Sequence, residues 1–150
     1  MQANESLEII MSSNFTKEER AAMRAALAEA KAAKAGADLE AACVAAIEEM
    51  TGSDRELAQA VHDLVKKHTD LRAKTWYGMP AYTNADGKVV VFFQSAAKFK
   101  VRYATIGFQE AAHLDEGNLW PTSYAVTKLT AADKKRLVEL LKTAVGDASA

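Results

Sequence analysis

The sequence predicts an α+β protein, an antiparallel sheet of about four or five strands covered by helices on one face, with extra N-terminal helices. Three observations carry that expectation. Three segments with helical apolar spacing come first, a stretch of β-type composition with hairpin-length turns follows from about residue 73, and one capped helix closes the chain. Aromatic residues are segregated in the same way: of 11, ten lie between Trp76 and Tyr124, and only Phe15 lies outside. Between Ala21 and Ala46, 14 of 26 residues are Ala, so the front is helical and the middle carries the packing mass. Strands joined by tight turns pair antiparallel, because parallel neighbours need long crossovers.

The elements follow in order. Thr16-Lys17-Glu18-Glu19 has the form of a capping box and opens a helix to about Lys34. Its stripe of Met23, Ala26, Leu27 and Ala30 is helical in period but poor in volume. Gly36 suits the position after that helix and Asp38 the N-cap of the next. There Leu39, Cys43, Ala46, Ile47 and Met50 fall at i, i+4, i+7, i+8 and i+11. Thr51-Gly52 breaks the pattern. Ser53-Asp54-Arg55-Glu56 reads as a second capping box before the stripe Leu57, Val61, Leu64, Val65 and His68.

Residues 73–83 carry aromatics and Thr but contain Gly78 and Pro80, which predicts an interrupted or edge strand. Asn84-Ala85-Asp86-Gly87 is a turn, and residues 88–94, apolar on both faces, read as a central strand with cover above and below. Residues 98–108 alternate, with Phe99, Val101 and Tyr103 on one side and Lys98, Lys100 and Arg102 on the other. Residues 121–128 predict a further short strand. Thr130-Ala131-Ala132-Asp133 caps the last helix, whose stripe is Leu137, Leu140, Leu141, Ala144 and Val145 and whose end is marked by Gly146.

Composition bounds the function classes. The chain has 150 residues, 19 Lys and Arg against 20 Asp and Glu, and a net charge of −1. That balance removes the simplest electrostatic argument for nucleic-acid binding. The halves differ: residues 1–70 hold 13 acids and 8 bases, residues 71–150 hold 7 acids and 11 bases. No apolar run approaches the ~20 residues of a membrane span. A single Cys43 excludes an intramolecular disulfide and every multi-cysteine metal centre. Residues 1–13 lack a cationic targeting region, the apolar piece from Leu7 to Met11 is interrupted by Glu8, and a cytoplasmic location is expected. Met11 is a candidate alternative start. The expected organisation is a disordered stretch over 1–13 and one domain over 14–150, its helical extension at 14–52 and its core at 53–146. No repeat and no long linker divides it.

Candidate chemistry is sparse. No nucleophile elbow, phosphate loop, dinucleotide fingerprint or paired-histidine zinc motif is present, and no acid–base pair stands out, so an enzyme is not expected. Cys43, on a buried stripe, reads as a structural thiol. His62 reads as a surface or boundary residue and His68 as a helix-end residue. Glu48, Glu49, Asp54 and Glu56 place four carboxylates within nine residues, which can hold a hard or borderline cation weakly or serve helix-end electrostatics. Asp63 and the loop His113-Leu114-Asp115-Glu116 are possible additions to such a metal site. Lys98, Lys100 and Arg102 form a cationic row that either meets an anion or guards an exposed face. Trp76, Tyr77, Met79 and Tyr82, with Phe92 and Phe93 across a hairpin and Trp120-Pro121 and Tyr124 nearby, are either core or the lining of a ligand groove.

These segments also carry a resemblance. Trp76-Tyr77-Gly78-Met79-Pro80-Ala81-Tyr82, Gly87-Lys88-Val89-Val90, Lys98-Phe99-Lys100, Arg102-Tyr103-Ala104-Thr105, Gly107-Phe108, Leu114-Asp115-Glu116-Gly117 and Trp120-Pro121 resemble the YdhG-like family of domains of unknown function, over about residues 54–146. The helices from Phe15 to Met50 are similar to an extension in one branch of it. The resemblance implies helices on one face of an antiparallel sheet. Some members are described as frataxin-like iron chaperones, which implies weak Fe(II) or Fe(III) binding by surface carboxylates, no tightly bound cofactor, and iron–sulfur or haem assembly proteins as partners of a monomer or small homo-oligomer. The alternative expectation is a small-ligand or protein-binding module built on the aromatic groove and the cationic row. Neither reading involves nucleic acid or a membrane.

Overall fold

In a computed structural model of the chain, residues 15–34 and 38–146 are described. The expectations for residues 1–13, for Met11 as a start and for Gly36 lie outside them. Three helices open the fold, α1 (Lys17–Lys34), α2 (Leu39–Glu49) and α3 (Gly52–His68). Five strands follow, β1 (Arg72–Trp76), β2 (Met79–Thr83), β3 (Val89–Gln94), β4 (Ala104–Phe108) and β5 (Ser123–Val126), and α4 (Ala131–Ala144) is last. The strands form one antiparallel sheet in the order β1-β2-β3-β4-β5, each paired with its neighbour in sequence. The α+β class, the one-sided helical cover and the central place of β3 are as the sequence predicts; the cover above and below expected for residues 88–94 is not found, because the helices of the core lie on one face and Phe92 is half-buried on the other. Among the described residues no helix is long and apolar enough to cross a membrane.

One face of the sheet meets α2, α3 and α4. Ala73, Tyr82, Val91 and Phe108 are aligned across β1 to β4 by register, and Phe93 faces Ile106. These join Cys43 and Ile47 of α2, Val61 and Val65 of α3, and Leu137 and Leu141 of α4 in one buried cluster. A register shift opposite Tyr82 and Thr83 marks a bulge at Val90, and both Val90 and Val91 belong to the core. Among the described residues none of α1 belongs to this cluster or packs against it, and Leu27 on its stripe is 46% exposed. The low side-chain volume read from the Ala-rich sequence has this consequence: α1 is attached by local contacts.

Three local expectations are corrected. The break at Tyr77-Gly78 is not an interruption within one strand but a two-residue hairpin turn between two, with Trp76 paired to Met79 and positive φ at both Tyr77 (51°) and Gly78 (80°). Pro80 is accommodated near the start of β2 because the pairing of β2 with β3 begins only at Ala81, opposite Phe92. The strand expected over 98–108 is real only from Ala104; Lys100 has φ of 55° and the amides of Lys100 and Val101 donate back to Ala97 and Ala96 at 3.2 and 3.1 Å. The capping box at 53–56 does not form. Thr51 is the N-cap of α3 without a side-chain bond, and Asp54 turns elsewhere. Asp38 does cap α2, accepting from Ala41 N–H at 3.1 Å, and the Thr130–Asp133 box on α4 is complete in both directions.

Candidate functional site

The acidic residues do not assemble into a metal site. Among the described residues no three His, Cys, Asp or Glu side chains come together in an arrangement able to hold a metal ion. Glu48, Glu49 and Glu56 are exposed, whereas Asp54 is 5% exposed. Its two carboxylate oxygens accept from Ala96 N–H and Ala97 N–H, each at 2.9 Å, so it ties the start of α3 to the loop after β3. Asp63 accepts from the Gln59 side chain at 2.9 Å. Of the loop residues, His113 lines one cleft and Glu116 another, so they face different spaces, and Asp115 is exposed.

The cationic row is likewise dispersed, because those residues occupy turns rather than a strand. Lys98 lies over the Phe99 ring (5.7 Å) and Arg102 over Tyr103 (5.1 Å), while Lys100 approaches Glu18 of α1 at 3.8 Å. The aromatic groove divides in two. Tyr82 is fully buried on the helix-facing side, and Tyr124 is on that side too, edge-on to Phe108 at 6.0 Å and under Arg136 at 5.8 Å. Half-buried Trp120 precedes β5. Trp76 is on the opposite face: its neighbour in alternation, Thr75, pairs with Pro80 on the core side, while Trp76 shares its side with Met79, Ala81 and Phe92.

The buried polar cluster was missed in the sequence. His62 of α3, expected at the surface or boundary, is 8% exposed, and its Nδ1 is 3.0 Å from the Tyr82 hydroxyl. Cys43 Sγ is 4.0 Å from both groups. A consistent chain has the thiol donating to Tyr82 Oη and the phenol donating to His62 Nδ1, which leaves the imidazole neutral. Burial pushes the Cys43 thiol up to about 11, lowers the His62 pKa and raises that of Tyr82. A nucleophilic Cys–His pair needs the reverse, a stabilised thiolate beside a protonated imidazole. The cluster is a satisfied polar element of the core, and Cys43 is buried in it as its stripe predicts.

The face turned away from α2, α3 and α4 carries the remaining candidate. The Trp76 and Phe92 rings meet there with centroids 5.4 Å apart and Tyr77 stands edge-on to Trp76 at 5.1 Å. Phe92 lies flat over Gly107 of β4; a Cβ at Gly107 would be 2.2–2.9 Å from three of its ring atoms. Glycine here is what lets the ring lie down on the sheet. Beside this platform a cleft of about 590 Å³ is lined by Lys74, Trp76, the β2–β3 turn, Val89, residues 109–111 and His113. Its rim carries both signs of charge, Lys74 and Lys88 against Asp86 and Glu110. A second cleft of about 330 Å³ holds Glu49, Met79 and Lys98 at the α2–α3 junction. The sequence singled out Trp76 but not Lys74, Lys88 or Gln109; a glycine inside the alternating run at 107 was the available signal for a flat aromatic contact.

No protein-family model, curated protein or solved structure matches the chain.

Proposed function

We propose that the protein is a non-enzymatic binding module whose working surface is the sheet face of Trp76 and Phe92 and the cleft beside it. One observation carries the reading: a half-buried aromatic pair, its Phe92 ring leaning over Gly107, borders a cleft with charges of both signs at its rim. Flat aromatic surface supplies non-directional burial, and a few charged groups around it fix orientation, which is the division of labour of a ligand site. A ligand with an apolar or aromatic body and polar substituents fits that chemistry.

Amide NMR spectra of the full chain, titrated with a set of indole and aryl-carboxylate fragments, test it. Shifts confined to Lys74, Trp76, Val89 and residues 109–111, lost in Trp76→Ala with the remaining spectrum intact, are expected. Shifts elsewhere only, or none at millimolar fragment, reject the surface. An anaerobic Fe(II) titration of the same sample addresses the weak iron-holding alternative; saturable broadening at Glu48–Glu56 or His113–Glu116, absent with Mg(II), would favour it over the aromatic face.

A further inference from the structure

A two-residue hairpin turn with both φ values positive leaves its two central N–H groups outside the sheet ladder and pointing in a common direction. At Tyr77 and Gly78 both are taken by one carboxylate: Glu29 Oε2 accepts from Tyr77 N–H at 3.0 Å and Glu29 Oε1 from Gly78 N–H at 2.8 Å. This two-oxygen, two-donor match is charge-assisted. Two further features complete the fit. The Lys98 ammonium is 3.1 Å from where a Gly78 Cβ would stand, placing a positive charge at the turn, and Ala25, one helical turn before Glu29, comes within 3.6 Å of the same point. The site therefore accepts a helix that presents a small residue and, four positions on, a carboxylate.

The turn needs positive φ at both central positions, and one of them is a tyrosine. A tyrosine at φ of 51° sits in the left-handed region that glycine or asparagine takes with less strain. Its side chain contributes little to the core, being 42% exposed. The helix that fills the site is itself weakly held, with none of its described residues in the core. Its further described ion pair, Lys100 with Glu18 at 3.8 Å, is between exposed or half-buried groups.

We infer that the Tyr77–Gly78 turn is a carboxylate-binding site, filled in cis by Glu29 of α1, that a helix of the same chemistry supplied in trans can occupy. It is separate from the aromatic cleft and stands or falls without it. The tethered α1 competes at an effective concentration on the order of millimolar, so a partner gains access when α1 is weakened.

The test uses the full chain as wild type and as Glu29→Ala, with a synthetic peptide of residues 16–34 as the probe. In Glu29→Ala the Tyr77 and Gly78 amide protons are expected to move upfield and exchange faster, while amides of α2, α3 and α4 keep their positions. Millimolar peptide should return both amides toward their wild-type positions, and the same peptide with Gln in place of Glu29 should not. Unmoved amides in Glu29→Ala would show that no carboxylate is seated. Loss of the whole folded spectrum would make α1 integral to the fold and overturn displacement. A peptide without effect, or equal effect from the Gln peptide, would reduce the contact to local packing and overturn the assignment.

Discussion

Gly107 decides more than its size suggests. Any side chain there collides with the Phe92 ring, and lifting that ring breaks its contact with Trp76. Gly107→Ala is expected to lower stability by about 1–3 kcal/mol, the usual cost of overpacking. The same variant should change Trp76 fluorescence, because the ring beside it has moved; an unchanged urea midpoint and spectrum would contradict this. His62 makes a different prediction. Burial lowers its pKa in the fold below the ordinary histidine value of 6.5, so on acidification the unfolded chain takes up a proton first. Stability is then lost as pH falls below about 6.5 and levels off beneath the folded pKa. Urea unfolding at pH 7.5 and 5.5 should show that loss in the wild type and a smaller one in His62→Asn, whose amide oxygen stands near the place of Nδ1 and can accept from Tyr82. Cys43 was legible at this scale from its stripe alone. The burial of His62 was not, because it depends on a tyrosine arriving from β2, 20 positions away.

At the scale of elements, local signals compete with distant partners. Ser53-Asp54-Arg55-Glu56 has the sequence of a capping box, yet α3 starts earlier with Thr51 as its N-cap, so Ser53 lies inside the first turn, and Asp54, at the N3 position from which it could reach back to the cap, spends both oxygens on Ala96 and Ala97. A carboxylate satisfying two loop amides outweighs a single bond to its own helix end, since hydrogen bonds to charged groups are the stronger kind. Asp54→Ala should therefore destabilise the protein by about 3 kcal/mol, well beyond the ~1 kcal/mol of a lost cap. Its amide exchange should rise first at residues 95–101. An effect confined to the first turn of α3 would mean that capping, not the loop clamp, is what Asp54 supplies. The same clamp explains why residues 98–103 do not continue as a strand despite their alternation: the chain is held in turns there, and Lys100 adopts positive φ. Where local signal and tertiary demand agree, as at Asp38 and at Thr130 with Asp133, the caps read from sequence are the caps observed.

The whole molecule has a dense part and a light one. The sheet with α2, α3 and α4 shares one buried cluster, whereas no described residue of α1 belongs to it; there Glu29 and Ala25 meet the Tyr77–Gly78 turn and Glu18 approaches Lys100 at the surface. Regions with few buried apolar contacts open at low free energy. In hydrogen exchange of the intact protein, α1 amides should exchange about 10- to 100-fold faster than those of α3 and β3. Uniform protection across all four helices would show that α1 is coupled to the core after all. The two faces of the sheet divide in the same sense, one closed by helices and the other carrying an aromatic pair beside an open cleft.

The sequence by itself determined the α+β class, the order of helices and strands, the caps at Asp38 and Thr130, the burial of Cys43 and the thinness of α1. All of these follow from residues within a few positions of one another, through period, cap chemistry and side-chain volume. Only the tertiary structure decided that Tyr82 is core while Trp76 is not, that the four carboxylates from Glu48 to Glu56 stay apart, and that Glu29 closes a turn 48 residues away. Alternation assigns side chains to two sides of a strand, but which side the helices cover, and which distant donor an Asp or Glu meets, is fixed by register and packing between segments. That information is shared among residues far apart in the chain.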